Sequence, residues 1–366
     1  MRVGLIIYGD LSITSGGYFY DRQMVNFLQT QGDKVEIISL PWQSYGRHLL
    51  DNLRLPLIRH IQEAAFDVLL QDELNHPSLF LLNRRVQKST KTPLISIVHH
   101  LRSSEKHGQW QLKLYRRVER SYLRSVDGFI FNSKTTQSAV ESLAGQQKPH
   151  IVANPSGSHQ RPELSAEEIT QRAHRGGPLG LLFVGNVIPR KGLGLILKAL
   201  AQLPQGVWQL DIVGAQDMDA KYVKHLMHTA DAGQLSANIT WHGRLSDEDL
   251  AQRMLGNHIL LMPSSYEGFG IAYLEGMALG LPSIGATSGA AQEIITDGQN
   301  GFIIAPDDAN VLARHIMAVY QDRQMLAQMG IAALEKYRSH PTWETSMEKV
   351  RKFLLQFIKQ REGQLL

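Results

Sequence analysis

Twelve short apolar runs, each of four to seven residues, alternate along this chain with longer stretches whose apolar residues recur every three or four positions. That alternation constrains the fold more than any other feature. A strand followed by a helix and then another strand brings the second strand back parallel to the first, so the pattern specifies βα units around parallel sheets. Strands are expected near 2–7, 34–40, 67–70, 94–99, 128–132 and 150–153, then near 179–184, 208–213, 238–242, 258–262, 282–286 and 301–304. Six and six, separated by Asn154-Pro-Ser-Gly157 and the polar stretch Gln160–Pro178, predict two similar domains. We therefore divide the chain into a first domain at 1–158, a linker at 159–178, a second domain at 179–342 and a terminal helix at 343–366. In that helix Trp343, Met347, Val350, Phe353, Leu354 and Phe357 recur at spacings that share one face.

Composition excludes several classes. With no cysteine, the chain has no disulfide framework, zinc ribbon or thiolate nucleophile, which fits a reducing cytoplasm. The opening Met1–Ile7 run is too short for a signal-peptide core and reads as a strand. No run of 18 apolar residues offers a membrane-spanning helix. The net charge of +4 is unevenly spread. Residues 1–158 hold 19 Lys and Arg against 13 Asp and Glu, whereas the rest hold 19 against 21. A basic first half points to an anionic partner there.

The chemistry-bearing motifs lie mostly in the second half. Val184-Gly185-Asn, then Arg190-Lys191-Gly192, follows an apolar strand and precedes an apolar helix. Ligands of open α/β sheets bind beyond the carboxyl ends of strands, where Arg190 and Lys191 are placed to neutralise a diphosphate. The segment Ser264–Ala278 follows another strand and carries Tyr266-Glu267-Gly268-Phe269-Gly270 and then Glu275. Its glycines let the backbone approach a ligand, and a helix starting near Phe269 would aim free N–H groups at an anion. Glu267 falls in the entry loop and Glu275 on the helix; both carboxylates suit sugar or ribose hydroxyls.

Taken in order, Val184-Gly-Asn, Arg190-Lys-Gly192, Ile212-Val-Gly214, His242-Gly-Arg-Leu-Ser246, Pro263, Tyr266–Gly270, Glu275–Ser283 and Glu293 to Phe302 resemble the family 4 retaining glycosyltransferases. The match covers nearly all of 179–305. The resemblance implies an α/β GT-B fold: two Rossmann-like, doubly wound parallel-sheet domains facing a central cleft, with the C-terminal helix crossing back to the first domain. It also implies a nucleotide diphosphate sugar as donor and no metal cofactor. Arg190 and Lys191 would hold the donor diphosphate, Glu275 the ribose and Glu267 the transferred sugar. Backbone N–H groups around Gly268, Phe269 and Gly270 would contact sugar and phosphate, with Gly185 at the preceding turn and His242 and Gly243 near the base.

The first half matches more loosely. Gly16-Gly17-Tyr after the first strand corresponds to the family's Gly-Gly turn. Ile95-Ser-Ile-Val-His-His100 ends a strand with two histidines, and the family places there a His that contacts the transferred sugar. His99 takes that place best, with His100 as the alternate; adjacent strand residues point to opposite faces, so the direction each side chain takes decides between them. From Arg102 to Arg124, seven cations face only Glu105 and Glu119, interleaved with Trp110, Leu114, Tyr115, Val118, Tyr122 and Leu123. That is either a basic amphipathic helix for an anionic membrane or a packed helix with a solvated face. Asp217-Met-Asp219 has the form of a metal and diphosphate motif but is assigned to a surface loop.

The sequence thus predicts a retaining sugar transferase with a glycan or lipid-linked acceptor, cytoplasmic and peripheral on the membrane's inner face. A catalytically silent nucleotide-sugar-binding subunit is the alternative. A nicotinamide oxidoreductase would need G-x-G-x-x-G after its first strand, which is absent. No nucleic-acid partner is expected, since no reading module accompanies the basic patch.

Overall fold

The computed structural model describes residues 1–13, 15–157 and 163–363. The end of the expected first domain at 158 and the start of the expected linker, 159–162, lie outside the described residues, as do the last residues of the expected terminal helix, 364–366. The chain forms two compact units, Met1–Pro155 with Pro341–Leu366, and Ser156–His340.

In the first unit, β1 (Arg2–Tyr8), β2 (Lys34–Leu40), β3 (Val68–Asp72), β4 (Leu94–Val98), β5 (Gly128–Phe131) and β6 (His150–Val152) form one sheet in the order β2-β1-β3-β4-β5-β6. Every pairing is parallel. The second unit repeats the design with β7 (Leu179–Val184), β8 (Trp208–Val213), β9 (Ile239–Gly243), β10 (Ile259–Met262), β11 (Ser283–Ala286) and β12 (Gly301–Ile304), ordered β12-β11-β10-β7-β8-β9. These strands fall within two residues of the positions expected from the apolar runs.

Central strands bury both faces, because crossover helices cover both sides of a parallel sheet. All residues of β3, β4, β5, β10 and β11 are buried, while the edge strands β2 and β9 keep partly exposed positions. Helices from both sides complete each core, with Trp208 and Phe183 in the second unit and Tyr122 and Phe131 in the first. Helix Ala166–Ala173 opens on a capping box between Ser165 and Glu168 and belongs to the second unit, where Arg172 donates to the Gly280 carbonyl at 2.6 Å.

The terminal helix, Trp343–Gly363, belongs to the first unit. Its face of Trp343, Met347, Val350, Leu354 and Phe357 is buried. Trp343 packs edge-on against Phe19 and Tyr20 at 5.3 and 5.7 Å, and Arg351 donates to the buried Asp33 at 2.7 Å. Phe353 is only half-buried and meets Phe357 edge-on. No helix among the described residues is long and apolar enough to cross a membrane.

At the carboxyl edge of the second sheet, three adjacent strands run into glycines, Gly185, Gly214 and Gly243, all with positive φ. A Cβ on Gly214 would lie 1.9 Å from the Gly185 carbonyl oxygen, so no side chain fits. Gly206 also has positive φ, at 82°, but has open space around it. Gly206→Ala is therefore expected to cost about 1 kcal/mol, and Gly214→Ala at least about 3 kcal/mol because a backbone clash adds to the strain. Urea unfolding of the two variants checks the difference; equal midpoints would show that the strands do not close up at this edge.

Candidate functional site

In each sheet the chain order reverses once, between β1 and β3 in the first unit and between β7 and β10 in the second. Loops leaving the two strands at such a point diverge and open a crevice at the carboxyl edge. Arg190, Lys191 and Glu267 gather at the second of these points and Gly17 and His99 lie near the first, whereas His242 and Gly243 stand two strands away on β9.

In the second unit, the loop after β7 contains Arg190 and Lys191 in a single turn closed by Gly192, and the loop after β10 brings Glu267 to it. Lys191 Nζ donates to Glu267 Oε2 at 2.7 Å, and Arg190 Nη1 lies 3.8 Å from the same oxygen. Arg190 also donates to the Tyr266 carbonyl at 2.8 Å, while its own carbonyl accepts from Ser265 N–H at 2.8 Å. The two loops are thus stitched together by main chain and side chain alike. All three charged side chains are only partly withdrawn from solvent, at 24%, 14% and 14% exposure, so a ligand can reach them. Lys191 and Arg190 thus both approach the Glu267 carboxylate.

Gly270, in the left-handed region at φ 95°, caps the helix Ile271–Ala278, which starts two residues later than the position near Phe269 expected from the sequence. Phe269 is buried, its ring packed 5.8 Å from that of His340. Glu275 lies on this helix, half-buried. Behind the loop, Gly289 is so close to Glu267 that a Cβ would sit 2.2 Å from its carbonyl oxygen, and Ala290 N–H donates to that oxygen at 2.9 Å. This support was not foreseen; a Ser-Gly-Ala turn after an apolar run is its only trace in the sequence.

His242 turns to Asp211, with Nε2 2.7 Å from Oδ1, and Asn257 donates to the other Asp211 oxygen at 2.8 Å. Gly243, the next residue, ends β9 on the glycine rim with Gly185. The Asp-Met-Asp motif is a structural feature. Asp217 makes a two-pronged pair with Arg244 at 3.1 Å, and Asp219 caps the helix Ala220–Ala232.

In the first unit Gly16 and Gly17 open the helix Gly16–Thr30, capped by Ser15. Gly17 lies against His99, whose Cδ2 would be 2.9 Å from an added Cβ. His99 Nε2 is 3.1 Å from Asp21 Oδ1, and its carbonyl accepts from Asn132 Nδ2 at 2.8 Å. His100 instead faces Glu105 at 3.3 Å. His99 is therefore the histidine that joins the Gly-Gly turn. Asp21 and Asp72 complete its surroundings, both buried, with one ligand-type atom of each of the three groups within 4.8 Å of the others. Sequence reading missed both acids because 78 residues separate Asp21 from His99.

Burial opposes a charge on His99, but Asp21, with Asp72 and Glu73 further in, outweighs it and holds the imidazole pKa above its ordinary 6.5. Asp72 is pushed above the usual carboxylate range by burial first and by Asp21 second.

The basic segment departs from one continuous helix. Arg102–Ser104 is a separate short turn, and the helix runs from Gln109 to Ser125. Arg120 and Arg124 are tied down, donating to the carbonyls of Leu143 and Ala144 at 2.9 and 3.0 Å. Trp110 is 84% and Leu114 44% exposed, with Lys113 and Arg117 on the same helical face.

The two doubly wound sheets, each with its residues at a switch point, define the GT-B class of fold. Sucrose-phosphate synthase from Thermosynechococcus elongatus shares it with a TM-score of 0.84 at 20% identity, over 98% of this chain and 100% of that one. Anabaena HepE, solved in complex with UDP-glucose, shares it with a TM-score of 0.75 at 20% identity, over 97% and 100%. Residues 165–336 match the family model for glycosyl transferases group 1, and residues 16–156 that for Glycosyltransferase Family 4. The chain belongs to this glycosyltransferase family. It is 25% identical over 370 residues to phosphatidyl-myo-inositol mannosyltransferase of Mycobacterium tuberculosis, covering 92% of this chain and 93% of that protein. An uncharacterized glycosyltransferase of Methanocaldococcus jannaschii is 29% identical over 171 residues, 47% of this chain and 46% of that one. The chain thus spans about half the length of the first curated relatives it matches, 46% and 58%.

The geometry around His99 sets a pH dependence. A raised folded pKa means that protonated His99 contributes stability fully below about pH 6.5, a contribution lost as pH rises through the folded value. Asp21→Asn should lower the pKa of His99, followed by NMR of its ring nitrogens, and flatten that part of the stability profile. An unchanged titration in the variant would show that Asp21 does not govern the imidazole.

Proposed function

We propose that this protein is a retaining glycosyltransferase that moves a sugar from a nucleoside diphosphate sugar to a hydroxyl group of a lipid-linked or polysaccharide-precursor acceptor. The observation that carries this reading is the convergence of Lys191 and Arg190 on Glu267 at the β7/β10 switch point, beside the Gly270-capped helix. Cations and free N–H groups suit a diphosphate, and a carboxylate among them suits sugar hydroxyls. The Anabaena protein of the same fold, solved with UDP-glucose, and the mycobacterial relative named for phosphatidyl-myo-inositol support the donor and acceptor classes.

The bond from the anomeric carbon to the diphosphate oxygen breaks, and its electron pair leaves with the nucleoside diphosphate. Arg190, Lys191 and the N–H groups of Gly268, Phe269 and Gly270 stabilise that charge, so the donor chemistry uses no metal. Glu267 holds hydroxyls of the transferred sugar, Glu275 the ribose, and the rim of Gly185 and Gly243 with His242 borders the base. His99, packed on Gly17 of the Gly16-Gly17 turn in the first unit, is assigned to the transferred sugar. The acceptor oxygen attacks from the face the diphosphate leaves, giving it its proton, and the anomeric configuration is retained.

Screening nucleoside diphosphate sugars with membrane and glycan extracts tests the reading. Released nucleoside diphosphate and a product of unchanged anomeric configuration are expected. Lys191→Ala should reduce kcat/KM about 100-fold or more, on the scale of a lost oxyanion donor. An inverted product would overturn the mechanism, and donor binding without transfer would make the chain a silent binding subunit.

We further place the protein in the cytoplasm, touching the inner membrane face through Trp110, Lys113, Leu114 and Arg117, an apolar and basic stripe on one helix. The Trp110→Ser, Lys113→Glu, Arg117→Glu triple variant should lose binding to vesicles containing anionic lipid. Unchanged sedimentation with such vesicles refutes the contact.

A further inference from the structure

Deep in the first unit, behind β3, three side chains converge that no step above uses. Glu73 and His76 sit one helical turn apart in the segment after β3, and Glu119 reaches them from the helix Gln109–Ser125. They are 3%, 1% and 0% exposed, and one ligand-type atom from each lies within 4.8 Å of the other two. Glu73 Oε1 and Glu119 Oε2 are buried without a hydrogen-bond partner, although the other Glu119 oxygen accepts from Ser103 N–H at 3.1 Å. Arg102 lies over the rings of Tyr45 and Tyr115, at 5.4 and 4.9 Å, with its Nε also unpartnered.

An unpartnered carboxylate oxygen in a dry interior is costly, and two facing each other are more so. We propose that Glu73, His76 and Glu119 bind one divalent transition-metal ion of the Mn²⁺, Fe²⁺ or Zn²⁺ kind. Glu-x-x-His on one turn, joined by a Glu from a facing helix, is a donor set that such ions take in helical proteins. His76 Nδ1 lies 3.1 Å from Glu73 Oε1. Two ligands at right angles, each about 2.1 Å from one ion, would be about 3.0 Å apart. His76 Nδ1 also lies 3.1 Å from the Glu73 main-chain carbonyl, to which it donates in the metal-free protein, so binding an ion at Nδ1 moves that proton to Nε2, 3.0 Å from Tyr45 Oη. The ion would clamp the exit of β3 to the helix Gln109–Ser125. It belongs to the first unit and takes no part in the diphosphate chemistry of the second.

Untagged protein purified without chelator is analysed by elemental mass spectrometry, then stripped and titrated separately with Mn²⁺, Co²⁺ and Zn²⁺. About one ion per chain, or a rise in melting temperature of about 5 °C when one of these ions saturates the stripped protein, is the expected result. Co²⁺ should add visible absorption bands, and Glu119→Gln and His76→Asn should each lose the ion and the shift. Wild type that carries no metal, shows no Co²⁺ bands and does not shift with any of the three ions overturns the site and leaves protons to neutralise the cluster. Because wild type alone decides this, a variant that folds poorly does not blur the outcome, and failure here leaves the transferase reading untouched.

Discussion

A parallel sheet must bury both faces, and each strand must be followed by a helix that returns the chain to the opposite end. Every strand therefore finishes at the same edge, and every loop that could hold a ligand is collected there. In this protein the constraint acts twice. The order β12-β11-β10-β7-β8-β9 sends the loop after β7 one way and the loop after β10 the other, and Lys191, Arg190 and Glu267 meet where they part. The reversal between β1 and β3 gathers Gly17, Asp21 and Asp72 near His99 at the end of β4.

The two units manage charge in opposite ways. The second keeps its charged trio of Arg190, Lys191 and Glu267 partly solvated, which suits a site that receives and releases a ligand. The first buries Asp21, Asp72, Glu73 and Glu119 almost completely and leaves one oxygen of Asp21, Glu73 and Glu119 without a hydrogen-bond partner. Burial of this kind shifts protonation, as it does at His99 and Asp72, and stays tolerable only with a counter-charge at hand. Glycine does complementary work in both. It removes side chains where Gly214 passes Gly185 and where Gly17 meets His99.

Much of this was legible in the residues themselves. Strand positions follow from apolar runs bounded by breakers, and the motifs around Arg190 and Glu267 are local enough to be read in line. The choice of His99 over His100 needed the structure, because it depends on which neighbour reaches from the helix Gly16–Thr30. The helix starts only at Gln109, capped by Gly108, because the interleaved apolar residues begin at Trp110 while the cations Arg102 and Lys106 extend the basic run further upstream. Asp21, Asp72, Gly289 and the trio of Glu73, His76 and Glu119 were invisible for one reason. Each owes its meaning to a neighbour distant in sequence, and no local period encodes that.

The central claim is that the second unit is a diphosphate site built on Lys191 and Arg190. Its most direct test is a calorimetric titration of nucleoside diphosphates and their sugars into wild type and Lys191→Met. The account predicts micromolar binding of one nucleoside diphosphate by wild type, weakened at least about tenfold in the variant, since a charge-assisted contact is worth about 1.5–3 kcal/mol. Equal affinity in both proteins, or no binding by wild type across the series, would contradict it.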